Sequence, residues 1–201
     1  MLSAGLLDSG AYTWTSQETI DCATSLRIYC FGDDENRYPV APVPPPGARR
    51  AFITKMGVPV TTGRAAMDAA CMADATAAGF TGTYLAWLPI AHAAASDRFT
   101  HTVPWIRRDG VVAIAADFSH MFAPLDVDAF GTYQYGVAWG WIDGPSGAPA
   151  NTTYDCGDWS STFGGAFVGE VSRGSFGAAF YDGSASLTNC TNAFYVYCLE
   201  Q

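Results

Sequence analysis

The chain has 201 residues, of which 49% are hydrophobic and only 14% charged. That is enough apolar surface for one or two folded domains and excludes a disordered chain. With a net charge of −9 and Lys55 as its one lysine, the chain lacks the basic patch that nucleic acid or anionic lipid would need, and no apolar run reaches the ~20 residues of a membrane-spanning helix.

Residues 1–32 carry two strand-like stretches, AYTWTS and SLRIYCF. In the second, Leu26, Ile28 and Cys30 alternate with Arg27, Tyr29 and Phe31, the pattern of a half-buried strand. Residues 33–48 follow as a linker: an acidic cluster (Asp33, Asp34, Glu35) and then five prolines between Pro39 and Pro46, which give an extended, semi-rigid spacer. Calcium favours several hard oxygens, but the cluster lacks the D-x-[DN]-x-[DN]-G spacing. No cofactor is therefore expected, and calcium stays open without a motif behind it.

Residues 49–201 form the main domain. RAFITKMGVPV (50–60) reads as an opening strand, and Thr61 or Thr62 is placed to cap a helix. Residues 64–78 are alanine-rich and favour helix. Met67, Cys71, Ala75 and Ala78 share one narrow face, and Gly79 supplies the left-handed stop. Thr83–Leu88 reads as a strand buried on both sides. Periodicity fades from Pro89 to Trp105, where a loop with at most a helical turn is expected. A turn at Asp109-Gly110 precedes a strand over Val111–Ala115, and residues 117–135 read as loop. YGVAWGW (135–141) is an aromatic strand. Residues 156–188 hold seven of the chain's 21 glycines, a density that argues against long regular elements. CTNAFYVYCL (190–199) closes the chain as a strand. Short strands, one good helix and glycine-rich loops indicate an α+β fold.

Six cysteines stand at 22, 30, 71, 156, 190 and 198, with no C-x-x-C pair. Thioredoxin-like and zinc-ribbon sites lose their signature. The even count at wide spacings favours disulfides in an oxidising compartment, extracellular or at the cell surface; the alternative is buried free thiols in the cytosol. MLSAGLLDSG is not a signal peptide, so the signal is expected outside this chain or the chain is expected to be a fragment.

Two segments echo one another. CATSLRIYC (22–30) and CTNAFYVYC (190–198) are both Cys-x7-Cys with Tyr before the second cysteine. Residues 1–32 are thus expected to be the closing hairpin of a preceding repeat. Half a domain cannot bury its own apolar face, so this segment is expected to pack on the main domain or to mediate self-association.

From Cys71 the chain runs Cys, seven residues, Gly79, then Phe80-Thr-Gly82-Thr83-Tyr84 and Ala86-Trp87-Leu88. This stretch resembles the helix–turn–strand of the endostatin domain, the C-terminal domain of certain collagens. Further matches follow in order: Arg107-Arg108 with Val111-Val112, Trp139 to Gly144, Cys156-Gly-Asp-Trp159, and Cys190 with Cys198-Leu-Glu200. The resemblance, which extends to bacterial extracellular repeats, covers about residues 50–201. It implies a C-type-lectin-like fold with one main helix, short mixed and antiparallel strands, long glycine-rich loops and nested disulfides. Carried over, it pairs Cys71 with Cys198 and Cys156 with Cys190. Cys22 and Cys30 are left to pair with each other or with absent upstream partners. The family's N-terminal histidine zinc site has no counterpart, since His92, His101 and His120 form no ligand pair, and no metal site is expected. Its arginine surface is also missing, as are the calcium-dependent sugar motifs of true C-type lectins.

The sequence contains no G-x-S-x-G elbow, phosphate loop or dinucleotide fingerprint. Asp126/Asp128 and Asp155/Asp158 could serve as paired carboxylates in a hydrolase, though aspartates in such loops are commonly turn formers. Exposed aromatic side chains are the better clue. Trp139 and Trp141 share a strand parity with Tyr135, and Trp159 and Phe163 flank a glycine run. These residues read either as core or as a surface for a sugar ring or a protein partner. The candidate ligand-binding residues are Trp139, Trp141, Asp143, Asp155, Asp158 and Trp159. The expected function is a non-catalytic extracellular module for binding, adhesion or a surface filament; the alternatives are a carbohydrate-binding module and, third, a carboxylate-dependent hydrolase.

Overall fold

The computed structural model describes residues 2–4, 18–20, 45–60, 63–89, 93–100, 102–119, 121–140, 155–171 and 188–201. In chain order the strands are β1 (Leu2–Ala4), β2 (Glu18–Ile20), β3 (Arg49–Ile53) and β4 (Val58–Pro59), then helix α1 (Arg64–Ala77) and β5 (Tyr84–Ala86). After a 3₁₀ turn at Ala95–Arg98 come β6 (Trp105–Ile106), β7 (Val112–Ile114), β8 (Val137–Gly140), β9 (Gly165–Glu170), β10 (Thr188–Asn189), β11 (Ala193–Phe194) and β12 (Tyr197–Glu200). The fold is α+β, with small mixed and antiparallel sheets.

The main sheet has the order β5-β12-β3-β6-β7. The closing strand β12 sits inside it, antiparallel to both β3 and β5. The pair β3–β6 is parallel and the rest of the sheet antiparallel. A second sheet, β10-β9-β8, is antiparallel throughout, and β11 pairs with β4. The opening stretch 50–60 is therefore two strands rather than one. They are separated at Gly57, where an added Cβ would lie 2.8 Å from the Ala193 carbonyl oxygen of the partner strand.

Helix α1 packs its small face on the sheet, and Met67, Cys71 and Ala75 are buried. Gly79 ends it with φ 78°, a conformation that costs a β-carbon-bearing residue energy. Its N-cap is Gly63, with no side-chain cap bond. The expected threonine cap is thus replaced by a glycine, the weaker alternative at that position. Thr61 and Thr62 themselves lie outside the described residues.

The polar side of α1 covers the sheet edge. β5 is the edge strand, and its backbone donors are met by helix side chains: Ala86 N–H donates to Asp68 Oδ1 (2.8 Å) and Tyr84 N–H to Met72 Sδ (3.1 Å). Arg98 clamps the arrangement with two nitrogens on Asp68 and a bond from Nη1 to the Ala86 carbonyl at 2.7 Å. An edge occupied in this way offers no template for pairing with another chain.

The core is aromatic. Trp105 lies 4.6 Å from Phe118 between ring centroids, and Trp87 lies 5.1 Å from the same ring. Trp105 Nε1 donates to the Glu200 carbonyl at 2.8 Å, so the indole polar atom is satisfied as the ring is buried. Among the described residues two disulfides join the parts. Cys71 on α1 is bonded to Cys198 on β12, and Cys156 to Cys190. These are the two pairs that the resemblance implied, and they mark an oxidising environment. Among the described residues no helix is long and apolar enough to cross a membrane.

β9 runs for six residues through the region where glycine density argued against long regular elements. Gly165 to Gly169 are buried, so the small residues here serve close packing on both faces of the strand rather than looping.

β1 and β2 form an antiparallel pair in which Leu2 stands opposite Ile20. In the pair β9–β10, Ala166 stands opposite Thr188. Ile20 and Thr188 each lie two residues before the first cysteine of a Cys-x7-Cys segment. The expected strand over Leu26–Phe31, Cys22, Cys30 and the linker to residue 44 lie outside the described residues.

Candidate functional site

The candidate ligand residues separate into three groups. Trp139 on β8 and Trp159 are fully buried and meet edge to face, with centroids 5.9 Å apart. Their indole N–H groups donate to the Val58 carbonyl at 2.9 Å and the Pro89 carbonyl at 2.7 Å. Both rings are core and present no face to a sugar. The alternation of β8 could not distinguish inward from outward parity, and burial decides it. Trp141 and Asp143 lie outside the described residues, as do His92, His101 and His120.

Asp155 and Asp158 come together at the Cys156–Cys190 bridge. Asp155 is buried, and its Oδ1 accepts from the Asp158 backbone N–H at 3.1 Å; Asp158 is exposed. Between them the backbone is left-handed: φ is 54° at Cys156, 61° at Gly157, 53° at Asp158 and 60° at Trp159. A left-handed turn costs roughly 1–2 kcal/mol per non-glycine residue. The disulfide, the buried Trp159 and the Asp155 cap hold it in place. Nothing in the sequence marks this turn, since only one of its four residues is glycine.

Asp126 and Asp128 do not act as a pair. Asp128 is buried and ties its own loop: Oδ1 accepts from the backbone N–H groups of Phe130 and Thr132, each at 2.9 Å, and Oδ2 from Gln134 Nε2 at 2.9 Å. This is an Asx-type turn. Asp126 instead faces Arg107, whose Nη1 reaches its Oδ1 at 2.7 Å and the Pro124 carbonyl at 3.0 Å. Arg107 is 7% exposed and also forks onto Asp109 through Nε and Nη2, with Tyr133 Oη donating to Asp109 Oδ2 at 3.1 Å.

The two carboxyls shift in opposite directions. Burial opposes the charge on Asp109, but its hydrogen bonds to Arg107 and the Arg107 charge prevail, and its pKa falls below the usual range. For Asp126 burial prevails over Arg107, helped by the nearby charge of Asp109, and its pKa rises. A guanidinium this fully paired has no donors left for a ligand anion, so the cluster is structural.

Of the surface beside this cluster, sequence reasoning singled out Tyr135 and missed the rest. The loop 126–135 runs along the end of β3, where Ile53 N–H donates to the Val127 carbonyl at 3.1 Å. It displays Phe130, Tyr133 (52% exposed) and Tyr135 (68% exposed). Lys55 places its ammonium 4.9 Å from the Phe130 ring centroid, and Met56 next to it is 72% exposed. The guanidinium of Arg107 lies 5.5 Å from the Tyr133 ring. Two adjoining segments thus expose three aromatic rings and a methionine, with Lys55 over one ring and Arg107 over another, a composition found at protein interfaces. The sequence held two hints of it: Tyr135, read with Trp139 and Trp141 as core or binding surface, and the expected loop over 117–135, because exposed aromatics on ordered loops are a binding signature. Among the described residues no group of three or more His, Cys, Asp or Glu is placed to hold a metal ion.

Comparison with protein-family models finds no match. Comparison with curated proteins finds none either.

Proposed function

We propose that the chain is a non-catalytic extracellular module, endostatin-like and C-type-lectin-like in fold, that serves protein binding, adhesion or assembly of a surface filament. The observation that carries this reading is the exposed face of Lys55, Met56, Phe130, Tyr133 and Tyr135. Of the four carboxylates offered for catalysis, three are otherwise engaged, Asp126 by Arg107, Asp128 by its loop and Asp155 as a cap, while Asp158 is exposed. The pairing of Cys71 with Cys198 and Cys156 with Cys190 supports the family reading. The matching position of β1–β2 and β9–β10 ahead of each Cys-x7-Cys supports a tandem repeat, as surface and filament proteins often have.

Carbohydrate binding is the second reading. With Trp139 and Trp159 buried, Tyr133 and Tyr135 are among the exposed rings of the described residues that could stack on a sugar. A glycan array on the full chain and on the double variant Tyr133→Ala/Tyr135→Ala separates the two. Silence across sugars, with self-association or adhesion lost in the variant, supports the protein-binding module. A sugar signal lost in the variant supports the second reading. Turnover of any glycan that disappears in Asp155→Asn or Asp158→Asn would overturn both.

A further inference from the structure

The acid pair at the left-handed turn has an unfilled hydrogen-bonding position. Asp155 is fully buried; its Oδ1 is taken by the Asp158 backbone N–H, and its Oδ2 is buried with no donor. The polar groups close to the Asp155 side chain are the backbone N–H groups of Asp158 and Gly157 and the carboxyl of Asp158, and no donor meets Oδ2. Two carboxylates cannot bond to each other as anions, because both are acceptors. They bond when one of them holds a proton, and a buried acceptor without a donor is costly enough to favour that state.

We infer that Asp155 and Asp158 share one proton, and that this proton is a pH-sensitive latch on the 156–159 turn. With the proton in place, Asp158 is tied back over the turn and Asp155 Oδ2 is satisfied. When the proton leaves to solvent, a second negative charge appears beside a buried carboxylate, and Asp158 is repelled outward.

Asp158 has an alternative partner. Arg64, in the first turn of α1, interacts with its charge, and α1 packs nearby through Gly63, where an added Cβ would lie 3.9 Å from Ser160 Cβ. The charged groups behind Arg64 are Arg98 and Asp68, which are ion-paired to each other. From the opposite side Asp155 is bridged to Ala166 of β9, and its neighbour Cys156 is bonded to Cys190; neither brings a titrating group. Asp158 thus has an alternative to the proton-bound position on Asp155, which is to turn to the charge of Arg64. Burial first, and then the charge of Asp158, push the Asp155 carboxyl above the usual range.

The turn leads into Phe163, 87% exposed, and then into β9. Release of the latch therefore changes the loop that presents this ring. The inference does not depend on the binding face around Tyr133.

The test is carboxyl-carbon NMR of the full, disulfide-intact chain labelled at aspartate, titrated from about pH 3 to about pH 8, with the Trp159 indole N–H followed in the same samples. Asp155 is expected to titrate above the usual carboxylate value, and the Trp159 signal to move with the same midpoint. In Asp158→Asn the amide supplies a permanent donor to Asp155 Oδ2; Asp155 is then expected to titrate lower and the Trp159 signal to become insensitive to pH. An Asp155 that titrates at or below the usual value in the unmodified chain overturns the inference, as does a Trp159 signal that ignores the Asp155 midpoint. The unmodified chain decides the matter even if a variant does not fold.

Discussion

Cys71, on the buried face of α1, is bonded to Cys198, 127 positions later in β12, with Cα atoms 5.5 Å apart. The bond ties the helix to the strand that sits between β3 and β5. Closing so long a loop removes unfolded-state entropy worth up to about 4–5 kcal/mol. The Cys156–Cys190 bridge lies within the same loop and shortens its free path, so the measured value is expected below that ceiling. Replacing both Cys71 and Cys198 by alanine is expected to lower stability by about 3–4 kcal/mol, read from the urea midpoint. A loss under about 1 kcal/mol would show that α1 is held by packing alone.

Much of this staple was legible beforehand, and the reasons are local. The spacing of Met67, Cys71 and Ala75 carries the helix and its buried face, and Gly79 carries its stop. The cysteine pairing followed from resemblance. What stayed illegible depended on long-range packing. Gly165 and Gly169 look like loop residues until both faces of β9 are seen to be covered. Trp139 and Trp159 were offered as ligand residues because period-two parity does not say which face is inward. The left-handed turn at 156–159 and the face around Tyr133 depend on contacts between segments far apart in sequence, which composition does not carry.

Arg107 is the buried charge on which the most partners depend, and it is expected to be the costliest single polar substitution among the described residues. Arg107→Met leaves Asp109 and Asp126 without their cation and strands the Pro124 carbonyl. Breaking a buried pair from one side costs about 3–5 kcal/mol. Adding Asp126→Leu removes one of the stranded carboxylates and is expected to recover about 1–2 kcal/mol of that. A double-mutant cycle by chemical denaturation measures the coupling, and strict additivity of the two losses would refute the pairing.

The same cluster sets an acid limit. The folded-state pKa of Asp109 lies below its unfolded value near 3.8. Its contribution is therefore present above that unfolded value and is lost as pH falls through the folded one. Asp126 is shifted the other way: its contribution is present below the unfolded value and fades as pH rises through the folded one. Asp109→Asn is expected to flatten the low-pH side of the stability profile, and Asp126→Asn the side above about pH 4. Thermal melts across that range check both, and matching profiles for the two variants would contradict the assignment.

At alkaline pH the buried tyrosines take over. Burial raises the Tyr197 phenol far above its ordinary value, and burial followed by the charge of Glu200 does the same for Tyr84. A raised folded-state pKa gives stability that is complete below the unfolded value of about 10 and is lost as pH climbs towards the folded one. These two of the chain's 10 tyrosines are expected to stay neutral until the fold opens. A phenolate absorbance titration should show a late cooperative step coincident with loss of near-ultraviolet circular dichroism. In Tyr197→Phe that step is expected to shrink and move to higher pH. Smooth ionisation of every tyrosine without unfolding would exclude the buried placement of both.

The N-terminal pair β1–β2 raises the question of what it packs against. β12 already occupies its place between β5 and β3 in the main sheet, and neither β1 nor β2 is a strand of that sheet. A chain that starts at residue 48 is therefore expected to keep the melting midpoint of the full chain to within a few degrees. A hairpin of two three-residue strands is too small to be stable by itself and needs another surface. If that surface is a second molecule, light scattering should show self-association of the full chain and its loss on trimming. An unchanged mass with a much lower midpoint would instead place the segment on its own domain. An unchanged mass with an unchanged midpoint would leave the repeat without a packing role.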